Sequence, residues 1–276
     1  MTGCSLLYAP SSDLTSGGGG PGDAASGPET AASQDGPSSV DAAADVSAEA
    51  SALTCPSGAL LCEDFEHDSV IGPFVTATGT LAISTTRAHS PTRSLSAIAR
   101  KDSASPNLEA MLAMPAKATI SFWLYAATPP PDATTNFRVA HVLWGAACDW
   151  PLSVTFYLNA TDGLKLSADS YDKNVNASCG PIANDIRTLL TASDMFVPSW
   201  HHIVATMDVS QPARRVEPFV DGKVVTPATS NSGRSTVPTG ALVAVGIPCV
   251  NSNAGCFDWM GSDYEVMIDD VVVTAP

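Results

Sequence analysis

Over residues 54–276 apolar and polar side chains alternate in short runs rich in β-branched and aromatic residues, with Gly, Pro, Asn and Asp between the runs. A period of two marks strands that bury one face. The runs predict strands at 60–66, 74–76, 80–84, 94–99, 108–113, 118–125, 137–144, 152–158, 164–168, 201–208, 215–220, 223–226, 241–247 and 264–274. The segment 182–193 reads as the one short helix. Asp221-Gly222, between RRVEPFV and KVV, predicts a tight hairpin because both central residues tolerate positive φ. So many short strands with turns between them indicate an all-β sandwich or barrel. The longest nearly uncharged apolar stretch, 241–250, is half of the about 20 residues that a membrane-spanning helix needs.

The pattern is missing before residue 54. Residues 1–53 hold no Lys, Arg, His, Trp or Phe, are dominated by Ala, Ser, Gly, Pro and Asp, and include a run of four glycines, Gly17 to Gly20. Such a segment buries too little to fold and reads as a disordered, self-repelling tether. The organisation expected is a tether over 1–53 and one domain over 54–276. The whole chain carries 28 acidic and 13 basic residues, net charge −15. No basic cluster is available to neutralise phosphates, which excludes nucleic acid as a partner.

Six of seven cysteines fall in the domain: Cys55, Cys62, Cys148, Cys179, Cys249 and Cys256. An even set without CxxC or CxH spacing points to disulfides in an oxidising compartment and away from zinc. Several connectivities are open; pairing sequence neighbours, Cys55 with Cys62, Cys148 with Cys179 and Cys249 with Cys256, closes local loops. The seventh cysteine, Cys4, follows Met1-Thr2-Gly3, which resembles the end of a bacterial lipoprotein signal. That resemblance implies a diacylated Cys4, a true start upstream, and a bacterial membrane-anchored, cell-surface lipoprotein touching the membrane only through its lipid. The alternative is a free cysteine in a disordered cytoplasmic N-terminus.

WHHIVATMD at 200–208 followed by VEPFVDGKVV at 216–225 resembles a strand pair of laminin G-like and concanavalin A-like lectin-glucanase jelly rolls. LLCEDFE at 60–66, ISFWLY at 120–125 and YEVMIDDVVV at 264–273 resemble their first, core and last strands. The resemblance implies a two-sheet antiparallel jelly-roll sandwich over about 55–276. Its members bind carbohydrate or protein, and some are glycosidases or lyases, so the fold leaves the ligand open.

Catalytic strings of such enzymes are absent. No Glu-x-Asp-x-x-Glu strand occurs, and Gln is found only at Gln34 and Gln211, so the Gln-Ile-His strand that lyases combine with Arg and Tyr is missing. No hydrolase elbow occurs, and the only GxGxxG match lies in the glycine run of the tether, without a strand before it. His201 and His202 are adjacent on a strand and point to opposite faces, so they do not share a metal ion. Asp64 and Glu66 near the start meet Asp269 and Asp270 near the end if the terminal strands pair. Clustered carboxylates suit Ca²⁺, and the resemblance implies a structural calcium there. Trp144, Trp150, Tyr157, Tyr171 and Trp259 are candidate sugar platforms. Of these, Trp150 and Trp259, close to cysteines, and Tyr171 form the expected ligand-binding set, while Trp123, Trp144 and Trp200 read as core. The function expected is non-catalytic carbohydrate binding at the bacterial surface, with a polysaccharide or glycoprotein glycan as partner. The alternatives are a protein-binding adhesion module with a surface-protein partner, and a divergent glycoside hydrolase or polysaccharide lyase.

Overall fold

Local alternation becomes two stacked antiparallel sheets. The computed structural model describes residues 53–101, 103–146, 149–171, 181–231, 239–252, 255–257 and 261–276. In chain order the elements are β1 (Ala59–Glu63), β2 (Thr76–Thr78), β3 (Thr80–Ser84), β4 (Ser94–Ala99), β5 (Asn107–Leu112), β6 (Lys117–Tyr125), β7 (Asn136–Ala146), β8 (Asp149–Asn159) and β9 (Gly163–Tyr171). They continue with β10 (Pro181–Leu190), α1 (Ala192–Met195), β11 (His201–Asp208), β12 (Ala213–Val220), β13 (Lys223–Val224), β14 (Ala228–Asn231), β15 (Ala241–Ser252), β16 (Gly255–Phe257) and β17 (Tyr264–Thr274).

The first sheet runs β13-β12-β11-β6-β17-β4-β3, with β1 on β17 and β14 on β12. The second runs β10-β9-β8-β7-β15-β5-β2, with β16 on β15. Between the sheets, Ile120, Phe122, Leu124, Ile203 and Met207 meet Phe137, Trp144, Val154, Phe156 and Val243, all fully buried. Phe122 and Phe156 cross edge-to-face at 5.4 Å. Full burial of each such side chain contributes about 1.5–3 kcal/mol, and this core is the main force holding the layers together. Trp144 belongs to it, as the sequence reading of that residue expects.

The terminal strands pair, Leu61 opposite Val273 and Glu63 opposite Val271. A disulfide joins Cys55, just before β1, to Cys62 within it. The hairpin forms at Asp221 and Gly222, with φ of 51° and 74°. Asp221 also accepts hydrogen bonds from the His202 amide and lies 2.9 Å from His201 Nδ1. His201 points inward and His202 outward, where its Nε2 meets Ser121 Oγ at 2.8 Å.

One predicted element is corrected. The segment 182–193 is a strand, β10, followed by the single turn α1. Its alternation is disguised because it is inverted: Ile186 is exposed, while Asp185 and Arg187 turn toward the first sheet. There Arg187 donates to the Pro227 carbonyl and Asp185 accepts the Thr229 amide. β14 and β16 are short strands that the alternation did not predict.

Candidate functional site

The four carboxylates expected to hold calcium have partners within the protein. Glu66 accepts the Thr92 and Arg93 amides and the Thr92 hydroxyl; burial opposes its charge, but those donors outweigh it and lower its pKa. Asp269 accepts the His89, Ser90 and Asp270 amides and the Ser90 hydroxyl. Burial, reinforced by the adjacent Asp270 charge, pushes the Asp269 pKa up to about 7 against those bonds. Asp270 meets His89 Nδ1 at 2.7 Å, and Asp64 accepts the Glu66 amide. Glu66, Asp269 and Asp270 thus clamp the loop between β3 and β4 onto the segment after β1 and the middle of β17, the loop's amides supplying positive dipoles to Glu66 and Asp269. Among the described residues no group of three or more His, Cys, Asp or Glu side chains is arranged to hold a metal ion.

Trp150 and Tyr171 fall on β8 and β9, but their side chains, like all of Trp259, lie outside the described residues. So do Cys4, Cys148 and Cys179, and the side chains of Cys249 and Cys256. Trp123, expected in the core, instead lies half-buried on the outer face of the first sheet, between His89 at 3.5 Å and His202 at 4.6 Å. Both ring faces are covered, so it offers no platform to a sugar.

The chemistry-bearing side chains that the structure does assemble lie on the outer face of the second sheet. Pairing sets them in three rows across β7, β8 and β9. Arg138 stands opposite Tyr157, and Tyr157 opposite Lys165; His141 opposite Thr155, and Thr155 opposite Ser167; Leu143 opposite Ser153, and Ser153 opposite Asp169. The last two rows extend to β10 through Ile186 opposite Ser167 and Asn184 opposite Asp169. Ser153, Thr155, Ser167 and Asp169 point away from the apolar core yet are only 2%, 5%, 6% and 8% exposed. They form a recessed polar floor, along which Arg138, His141, Tyr157 and Lys165 are half-buried.

A β-bulge makes this arrangement possible. Simple alternation puts Arg138 and His141, three residues apart, on opposite faces. The β7–β8 register shifts between Arg138 and Ala140, leaving Val139 and Ala140 both fully buried and both polar residues outward. In the hydrophobic pattern the bulge shows only as the doubled apolar pair Val139-Ala140 between Arg138 and His141.

The recess sets the protonation states. Burial, together with the charge of Arg138, holds His141 well below its usual pKa, so its imidazole is neutral. Its Nε2 lies 3.1 Å from Ser153 Oγ, which fixes the ring. Burial, with Asp169 and Asp162, raises the Tyr157 phenol to about 12, so it keeps its proton. Burial raises Asp169 to about 6, against the Ser167 hydrogen bond and Arg138. Lys165 is paired with Asp162. The face thus places a permanent cation, a neutral imidazole and a protonated phenol on two neighbouring strands. That set can hold an anion, take a proton and give one.

No protein-family model and no curated protein matches the sequence. Solved structures share the fold. The endo-β-1,4-glucuronan lyase of the fungus Trichoderma reesei is 13% identical with a TM-score of 0.54, covering 79% of this chain and 96% of its own. Alginate lyase Aly36B is 12% identical with a TM-score of 0.52, covering 80% and 98%. The binding domain of botulinum neurotoxin serotype D is 9% identical with a TM-score of 0.51, covering 79% of this chain but only 47% of that one. At these identities the likeness is one of fold alone: this chain is a two-sheet antiparallel jelly-roll sandwich.

Proposed function

We propose that the outer face of the second sheet binds an acidic polysaccharide and cleaves it by β-elimination. The observation that carries this reading is the union of Arg138, neutral His141 and protonated Tyr157 on one recessed face. In a uronate, the proton on C5 is acidified by the adjacent carboxylate. Arg138 binds that carboxylate and stabilises the charge that develops on it. His141 takes the C5 proton, the C4–O bond breaks as the C4–C5 double bond forms, and Tyr157 gives its proton to the departing oxygen. The lyases named above act on polymers of this class, which supports the reading by analogy.

A non-catalytic variant of the proposal keeps the same face and the same ligand. It is favoured by the occurrence of this fold in a toxin's binding domain. Display at a bacterial surface through an acylated Cys4 belongs to either version, and mass spectrometry of the N-terminal peptide tests it. For the central proposal, the full chain is incubated with polyglucuronate, alginate and a neutral glucan, and both retention and ultraviolet absorbance of unsaturated product are read. Absorbance growing with either polyuronate supports elimination, retention without it supports the non-catalytic version, and retention of the neutral glucan alone overturns both.

A further inference from the structure

Asp169 has no part in the elimination described above, yet it belongs to the buried polar floor, opposite Ser153 on β8 and Asn184 on β10. Its Oδ1 accepts the Ser167 hydroxyl at 2.8 Å, and that hydroxyl lies 3.3 Å from Asn184 Oδ1. A carboxylate pointing away from the core and only 8% exposed is costly to keep charged in the folded chain. It also stands on the surface where a polyanion is to lie. An anionic group in an anion-binding face either repels the ligand or changes state when the ligand arrives.

We propose that Asp169 sets the ligand selectivity of this face through its own protonation. Ionised, it repels the carboxylates of a polyuronate laid across β7, β8 and β9; protonated, it ceases to repel and donates its hydroxyl hydrogen to a uronate oxygen. This inference rests on the reading of the face as a binding site for acidic polysaccharide.

The groups facing Asp169 leave it as the one suited to this role. From β7 come Arg138, which stays cationic, and His141, whose burial delays its protonation to lower pH. From β8 comes Tyr157, protonated until about pH 12. Lys165 on its own strand is tied to Asp162, and β10 contributes neutral Asn184 and Ile186 to this face, its Asp185 and Arg187 being engaged with the first sheet. Asp169 changes charge near pH 6, so polyuronate affinity rises as the pH falls through that value. A neutral glucan feels no such change.

The test uses the full chain carrying Tyr157→Phe, which suppresses turnover, with and without Asp169→Asn. An asparagine keeps the shape and still accepts the Ser167 hydroxyl. Binding of polyglucuronate and of a neutral glucan is followed by calorimetry from about pH 5 to about pH 8. Each unit by which bound polyuronate raises the Asp169 pKa tightens binding about tenfold at the acid end. Asp169→Asn is expected to bind polyglucuronate at the alkaline end as tightly as its parent does at the acid end, with a flattened profile. The same pH curve in both proteins overturns this inference and leaves polyuronate binding standing. No polyglucuronate binding at any pH overturns both.

Discussion

His89 lies parallel to Trp123, ring centroids 3.5 Å apart, while its Nδ1 sits 2.7 Å from Asp270 Oδ2. Together with the carboxylates of Glu66 and Asp269, this contact pins the β3–β4 loop to the first sheet. An aromatic pair of this kind contributes about 0.5–1.5 kcal/mol and a hydrogen bond to a charged group about 1.5–3 kcal/mol. His89→Ala is therefore expected to lose roughly 2–4 kcal/mol in urea denaturation. Polyuronate binding on the other sheet should be unchanged, and a protein of unaltered stability would show that the clamp does not depend on this ring.

The same clamp bears on calcium. Because Glu66 and Asp269 already accept protein donors, a thermal melt is expected to be the same in chelator and in millimolar calcium. A higher midpoint in calcium, lost in a variant carrying Asp269→Asn and Asp270→Asn, would establish the calcium site expected from the sequence.

Asp169 links stability to pH as well as binding. Its folded pKa, about 6, lies above its ordinary 3.8, so the stability it contributes is fully present below about 4 and is lost as the pH rises through 6. Replacing it with asparagine removes that loss. Asp169→Asn is expected to be more stable than the parent above about pH 6, by at most roughly 3 kcal/mol and with a higher melting midpoint, and equally stable near pH 4. A lower midpoint at neutral pH would show that the ionised carboxylate is stabilising.

Elimination requires a neutral His141 and a protonated Tyr157. The rate at saturating polyuronate should rise with pH as His141 loses its proton, well below 6.5, and then stay level through the neutral range because Tyr157 titrates only near 12. Tyr157→Phe and His141→Ala are each expected to lower kcat about 10²–10⁴-fold with little effect on KM. A loss confined to KM would place these residues in binding alone.

The Cys55–Cys62 bridge closes a short loop, with a sequence separation of 7. Chain-entropy arguments give such a loop roughly 2–3 kcal/mol. The double variant Cys55→Ser, Cys62→Ser is expected to lose about that much in denaturant unfolding while leaving the β1–β17 pairing intact by amide exchange.

Alternation alone was enough to place most strands, because each needs only one apolar face and the register of side chains within a strand is local. The ranges 80–84, 94–99, 201–208 and 264–274 coincide with β3, β4, β11 and β17. The opposed faces of His201 and His202 and the hairpin at Asp221-Gly222 follow from the same local rules. β10 escaped because its charged residues are satisfied by a strand of the other sheet, a contact between residues about 40 apart in sequence. Glu66 and Asp269 were legible as groups that need partners, but not as partners of backbone amides in a loop far from both. The elimination site was the least legible. Its members are spread over two strands, Tyr157 carries no signal in the sequence beyond that of a possible sugar platform, and Arg138 and His141 share a face only because of a bulge.

The sequence by itself determined an all-β domain behind a composition unlike it, since burial periodicity and turn chemistry act within a few residues. Only the tertiary structure decided which polar residues meet: pairing order, bulges and burial set both the neighbours and the protonation states of Arg138, His141, Tyr157 and Asp169, and these are properties of contacts between distant segments.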